Sequence, residues 1–271
     1  EKLNRNSYDF MNVDLTDESK VFQIIKDFNP DSICHLAAQA GVRYSLEKPH
    51  NYIDNNIKVT MNILEASRKC GVNDIVFAST SSVYGLNTNL PFSEDLKIDS
   101  TISTYSSTKY CCELLLHTYS NIYGIRARIL RFFTVYGPWG RPDMAFFNFT
   151  HAILNREKIQ IYNNGEMKRD FTYVSDIVDG FILALKSKQD FEIFNLGSGK
   201  FTNLMDFIGV IEEELGITAD KEFLPLQSGD VISTCADITK ARKELGYRPK
   251  VGIKEGISNF ISWYKRYNQI K

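Results

Sequence analysis

A chain of 271 residues, 43% hydrophobic and 24% charged, holds enough apolar material for the core of one domain or of two closely joined ones. The net charge of −1 comes from lysines and arginines scattered among acids, which excludes the basic field that a nucleic-acid backbone requires. No apolar run approaches the ~20 residues of a membrane span, so no membrane partner is expected. The five cysteines form no C-x-x-C pair and their odd number speaks against a complete disulfide framework; reduced thiols and a cytoplasmic location follow as expectations. The four histidines lack metal-ligand spacing, and no metal is expected.

Strand-length apolar runs alternate with helical patterns along the first half. Residues 8–13 read as a strand and 17–28 as a helix with Val21, Ile24, Ile25 and Phe28 on one face, stopped by Pro30. A short buried strand at 32–36 runs into small residues, and 52–68 is helical with Ile53, Ile57, Met61 and Leu64 on one side. A strand at 74–79, a helix at 103–123 ended by Gly124 and a strand at 127–133 follow. This repetition predicts a doubly wound, Rossmann-like α/β fold with a parallel sheet, whose ligands bind beyond the carboxyl ends of the strands. The chain does not open with Met and a strand begins almost at once, so a version shortened by roughly one strand–helix–strand unit, ~30 residues or more, is expected.

After Pro138 the rhythm loosens. Helices are predicted at 142–152, 175–185, 202–215, 238–245 and 253–264, and strands at 159–162 and 192–196. We therefore expect a Rossmann-like part over 1–137 and a smaller α+β substrate lobe over 138–271, with segments around 170–200 returning to the first core.

Tyr-x-x-x-Lys occurs three times, at Tyr44/Lys48, Tyr105/Lys109 and Tyr267/Lys271, where chance alone gives about one match. Context separates them. Tyr44/Lys48 runs into Pro49, and Tyr267/Lys271 is the C-terminus. Only Tyr105/Lys109 lies in a long helix, preceded by the hydroxyl row Thr80-Ser81-Ser82 just past a buried strand. Positions i and i+4 share a helix face, so the ammonium is expected near the phenol and, joined by an oxidised nicotinamide, should lower its value from ~10 toward that of a useful base. Surface residues and a plain serine-rich turn are the bland alternatives. His35-Leu36-Ala37-Ala38 forms a small-residue turn that a flat ligand could approach, or that simply packs tightly; His35 itself reads as structural.

Together, His-Leu-Ala-Ala at 35–38, Thr-Ser-Ser-Val-Tyr-Gly at 80–85, Tyr105/Lys109 and Arg-Phe-Phe-Thr-Val-Tyr-Gly at 131–137 resemble the extended short-chain dehydrogenases, most closely the NAD-dependent nucleotide-sugar epimerases. Arg-Asp-Phe-Thr-Tyr-Val at 169–174 and Asn-Leu-Gly-Ser-Gly at 195–199 extend the match over nearly the whole chain, and Gly-Arg-Pro-Asp-Met at 140–144 is similar to the UDP-glucuronate 4-epimerase branch, common in polysaccharide synthesis. The resemblance implies NAD as cofactor and a UDP-sugar as substrate, epimerised at C4 through a 4-keto form. It implies Tyr105 as base, Lys109 as its tuner and ribose ligand, and Thr80 as partner of the 4-oxygen. Asp14, Leu15, Leu36, Ala37, Ala38, Asn55 and Phe132 would line the cofactor. Thr80, Ser81, Ser82 and Thr134, with Arg43 and Arg141 nearby, would hold the sugar carboxylate. Tyr162 would stack on uracil, and Arg169, Gln227 and Asp230 would meet the diphosphate and ribose, although many relatives carry arginine where Gln227 stands. The family also suggests a homodimer, and its glycine loop has no counterpart in this sequence. UDP-glucose/galactose epimerisation, a dehydratase or decarboxylase, and a non-catalytic nucleotide-sugar-binding remnant are the alternatives.

Overall fold

The computed structural model describes residues 8–227 and 229–270; Lys271 of the third Tyr-x-x-x-Lys lies outside them. Asp17 caps α1 (Glu18–Phe28) by accepting from the Lys20 amide at 3.2 Å, and left-handed Asn29 ends it. β1 (Ile33–His35) leads through an open turn into α2 (Val42–Glu47). The helix predicted over 52–68 is three pieces: α3 (Pro49–Tyr52), a π-helical stretch Ile53–Lys58 and α4 (Val59–Cys70), which stops at Gly71 with φ +75°. β2 (Asp74–Thr80) ends in a 3₁₀ turn over Ser81–Tyr84. A reciprocal Ser103/Ser106 capping box opens α5 (Thr104–Tyr123), and β3 (Arg126–Phe132) follows.

The second half contributes β4 (Thr134–Tyr136), α6 (Ala145–Leu154), β5 (Ile159–Tyr162), β6 (Lys168–Arg169), β7 (Phe171–Tyr173), α7 (Val174–Lys186), β8 (Phe191–Leu196), β9 (Thr202–Asn203), α8 (Leu204–Leu215), β10 (Lys221–Leu224), α9 (Thr239–Leu245) and α10 (Ile253–Tyr267). The main sheet is parallel in the order β1-β2-β3-β8, with Thr80 opposite Phe132 and Phe132 opposite Leu196. Period-2 alternation sends Ile75, Phe77, Ala127 and Ile129 into one core with α1, α4 and α5. Val76, Leu130, Phe194 and Leu196 enter another with α7 and α9. Helices thus cover both faces, as parallel strands require. A third core joins Phe146, Ile161, Phe171, Phe207 and Phe260 of α6, β5, β7, α8 and α10. Three two-stranded ladders, β4-β7, β5-β10 and β6-β9, lie outside the main sheet.

Two expectations change. Residues 8–13 form no strand: a strand exists by its ladder, and no described strand pairs on the outer side of β1. Phe10 is consequently 84% exposed. The short strands β4, β6, β7, β9 and β10 were not anticipated, being two to four residues long with little periodicity of their own.

His35 ends β1 buried, its Nε2 3.0 Å from Thr60 Oγ1 and its Nδ1 without a partner. Burial, helped by the Lys109 charge, pushes the imidazole down to about 3. The unfolded chain therefore binds a proton between pH 6.5 and 3 that the fold refuses, and stability declines as pH falls through that window. His35→Gln keeps a partner for Thr60 without titrating. Urea midpoints at pH 7 and pH 5 should show the variant losing about 2 kcal/mol less than the parent on acidification.

Candidate active site

The 3₁₀ turn after β2 starts where Thr80 Oγ1 accepts from the Ser82 amide at 3.1 Å. The same hydroxyl lies close enough to the Tyr105 phenol to favour its ionised form, and the phenol enters from the first turn of α5. The Tyr52 ring stands edge-on to Tyr105 at 6.1 Å, fixed by its own hydroxyl donating to Gly41 O at 2.6 Å and Ala40 O at 3.0 Å. Arg141 approaches from the loop beyond β4: a Cβ on Gly41 would lie 3.6 Å from its Nη2, and its charge is felt by both phenols. The guanidinium is clamped by Asp143, Nε at 2.9 Å and Nη2 at 2.6 Å.

Burial raises the Tyr105 phenol above its ordinary value, and the nearby Thr80 hydroxyl and Arg141 charge only partly offset this. The expected tuning by Lys109 is therefore not what the protein alone provides. Lys109 lies one turn deeper, 3% exposed, its Nζ 3.9 Å above the centre of the Phe77 ring. Burial lowers its ammonium to about 8. No described residue accepts a hydrogen bond from it.

Beneath these groups runs a network that sequence reasoning missed. Glu113, 3% exposed, accepts from Ser79 Oγ at 2.5 Å and from Arg131 Nε and Nη2 at 3.1 and 2.7 Å. Arg131 Nη1 donates to Tyr84 Oη at 3.0 Å, and Tyr84 donates to Asn195 Oδ1 at 2.7 Å. A glutamate and an arginine inside otherwise apolar helix and strand runs were the available signal. Asn56 was also missed: inside the π-helical stretch it accepts from Gln39 N at 2.8 Å and donates to Thr108 Oγ1 at 2.9 Å, fastening the β1 turn to α5. Asp170, fully buried, accepts from the amides of Ser198, Gly199 and Ala236 and organises the turn after β8.

Other predicted residues gather on the lobe side. Arg43 of α2 sets its guanidinium 4.9 Å over the Tyr162 ring and its Nη2 3.2 Å from Asp230. Arg169 donates to the carbonyls of Lys168, Ile232 and Val231 at 3.0, 2.9 and 2.5 Å, which orients it while burial lowers its value. Gln227 Oε1 is buried with no hydrogen-bond partner among the described residues. Ser81 and Ser82 are partly buried beside Thr80, and Thr134 is partly buried with its amide on Asp170 O at 3.0 Å.

Of the predicted cofactor residues, Leu36, Ala37, Ala38 and Phe132 lie at the carboxyl ends of β1 and β3, while Asp14 and Leu15 precede α1 and Asn55 is on the π-helical stretch. Leu36, Ala37 and Ala38 are exposed in the turn after β1, and Asn55 is exposed on the π-helical stretch. Asp14 accepts from the Thr16 amide at 2.9 Å, which lowers its carboxyl below the usual range, and Leu15 O accepts from Asn62 at 2.9 Å. Phe132 ends β3, its ring 6.5 Å from Phe181. A buried ammonium without an acceptor, next to an exposed strip of small apolar residues, fits a cofactor that carries both a ribose diol and a flat ring. Among the described residues, no three His, Cys, Asp or Glu side chains gather as metal ligands, and no helix is long and apolar enough to cross a membrane.

Comparison with known proteins agrees with this geometry. Residues 1–197 match the model of the NAD dependent epimerase/dehydratase family. The chain is 42% identical over 260 residues to a UDP-glucuronate 4-epimerase of Thermodesulfobacterium geofontis, covering 96% of this chain and 80% of that protein. It is similar to the crystal structure of a UDP-glucuronic acid 4-epimerase from Bacillus cereus in complex with UDP-glucuronic acid and NAD, with a TM-score of 0.92, 35% identity, and 98% and 83% of the two chains covered. A UDP-glucose 4-epimerase from Thermotoga maritima with UDP-glucose gives a TM-score of 0.92 at 32% identity, covering 98% and 87%. Sheet, site and relatives lead to one assignment: the chain belongs to the NAD dependent epimerase/dehydratase family and is an NAD-dependent epimerase.

Proposed function

We propose that the protein inverts C4 of a UDP-sugar, and that this sugar is UDP-glucuronate, giving UDP-galacturonate. The observation that carries the reading is the meeting of Thr80, at the end of β2, with Tyr105, in the first turn of α5 and edge-on to Tyr52, with the Arg141 charge beside them and no acid in the Thr80-Ser81-Ser82 row. Bound NAD supplies a reversible hydride acceptor. Thr80 holds the sugar's 4-oxygen by a hydrogen bond, and Tyr105 takes the proton from it and later returns it. Lys109 gains its missing acceptor in the nicotinamide ribose, and the exposed turn Leu36-Ala37-Ala38, with Asp14, Leu15, Asn55 and Phe132, lines the rest of the cofactor.

The substrate's ends are divided between the two sides. Tyr162 offers an aromatic face to uracil, while Arg169, Gln227 and Asp230 serve the diphosphate and ribose. The carboxylate goes to Ser81, Ser82 and Thr134 beneath Arg141, with Arg43 nearby. A carboxylate β to a ketone loses CO₂ readily, so a row of hydroxyl donors that itself contains no acid suits a pocket that must keep it. In the same proposal, 138–271 is the UDP-sugar lobe, β8 completes the Rossmann-like part, and the protein works as a homodimer in polysaccharide synthesis.

Incubation with UDP-glucuronate and NAD, read by proton NMR, should give UDP-galacturonate; conversion of UDP-glucose alone would move the assignment to the neutral sugar. Tyr105→Phe should lower kcat by about 10²–10⁴ with nucleotide-sugar affinity kept; a variant within tenfold of the parent would remove the phenol from the chemistry. Ser82→Glu should repel the carboxylate and cripple epimerisation of UDP-glucuronate; an unchanged rate would take the hydroxyl row out of this account. Lys109 carries a charge below pH 8 that burial opposes, so the unfolded chain binds more protons between pH 8 and 10.5 and stability rises with pH there. Lys109→Met should therefore unfold about 2–3 kcal/mol harder at pH 7, an advantage that vanishes by pH 10.5, while activity is lost. Equal urea midpoints at pH 7 would contradict this.

A further inference from the structure

The loop that delivers Arg141 contains a residue whose conformation stability alone does not explain. Trp139 has φ +63°, in the left-handed region that an L-residue with a bulky side chain rarely adopts. It is also 76% exposed, so its burial contributes little. A strained backbone persists when its surroundings over-determine it, and such strain concentrates where a site is being shaped. Here the surroundings are two aromatic rings of α10: Trp263 at 5.3 Å and Tyr267 at 5.4 Å from the indole, themselves stacked at 5.1 Å. Next to it, a Cβ on Gly140 would come within 2.4 Å of the Phe146 ring, so the chain is pressed onto α6 immediately after the indole. Arg141 follows, its head held by Asp143 and its charge directed at Tyr52 and Tyr105.

We infer that Trp139, pinned on Trp263 and Tyr267, is a positioning residue that sets Arg141 over the sugar and thereby selects the negatively charged UDP-sugar. The indole touches no reacting atom. It fixes where the 139–141 backbone leaves the lobe, and so fixes the reach of a guanidinium whose Nε and Nη2 are taken by Asp143 and whose Nη1 is left to meet the sugar carboxylate. The C-terminal helix becomes part of substrate selection, although it supplies no side chain to the sugar. This inference rests on the reading of Arg141 as the carboxylate's cation.

The test is calorimetric affinity for UDP-glucuronate and for UDP-glucose, measured on NAD-supplemented protein and five variants. Trp139→Gly relieves the positive φ and removes the ring; it should weaken UDP-glucuronate binding about tenfold and leave UDP-glucose within twofold. Trp139→Phe should restore most of the preference. Trp263→Leu and Tyr267→Leu, which leave the loop's sequence intact, should each reproduce part of the loss and serve if the glycine variant does not fold. Arg141→Gln separates the two claims. If it leaves UDP-glucuronate affinity unchanged, the carboxylate reading fails. If it weakens that affinity selectively while the Trp139 and α10 variants behave as the parent, the positioning role is overturned. Equal weakening of both sugars by Trp139→Gly would also overturn it.

Discussion

The buried pairing of Glu113 with Arg131 is the constraint on which the site depends. It ties α5 to β3, and through Ser79 it reaches the last turn of β2, one residue before Thr80. Tyr105 and Thr80 meet because the helix and the strand carrying them are held from below by a charge pair that is almost wholly out of water. Such a pair is a weak net contributor to stability, since desolvation offsets most of its Coulomb gain. Its value is registry: breaking one partner strands the other charge in the core. Tyr84 and Asn195 carry the same fastening across to β8, so three strand ends are locked together where a cofactor must cross them.

The electrostatics of the site make sense as preparation. Burial alone drives the Tyr105 phenol up and the Lys109 ammonium down, which is the wrong direction for a base and for its helper. In the proposed mechanism both groups become useful when hydrogen bonds and charges from bound molecules reach them. His35, kept neutral in the same neighbourhood, adds no competing charge. The protein therefore stores unfavourable desolvation at one end of its sheet, a pattern expected where stability and activity are traded.

Much of this was legible in the sequence. The parallel sheet followed from alternating strand and helix patterns, and the Thr80–Tyr105 encounter from a hydroxyl row ending one strand and a tyrosine opening the next helix. Three kinds of feature were not. The strand predicted at 8–13 has the right residues, but a ladder needs a neighbour and none is present among the described residues. The deeper seat of Lys109 was hidden because i,i+4 spacing gives a shared face and says nothing of side-chain direction. Glu113, Arg131, Asn56 and Asp170 pair across 17 to 66 residues of sequence, and periodicity within an element carries no trace of such partners. The short strands β4, β6, β7, β9 and β10 were invisible for the same reason: they are defined by what lies beside them.

The central claim is that one phenol and one threonine hydroxyl act together on a single sugar oxygen. A crystal structure of this protein with NAD and UDP-glucuronate tests it most directly. The account predicts the sugar's 4-oxygen within about 3.2 Å of both Tyr105 Oη and Thr80 Oγ1. A 4-oxygen held by other groups, with neither Tyr105 nor Thr80 in contact with it, would contradict it.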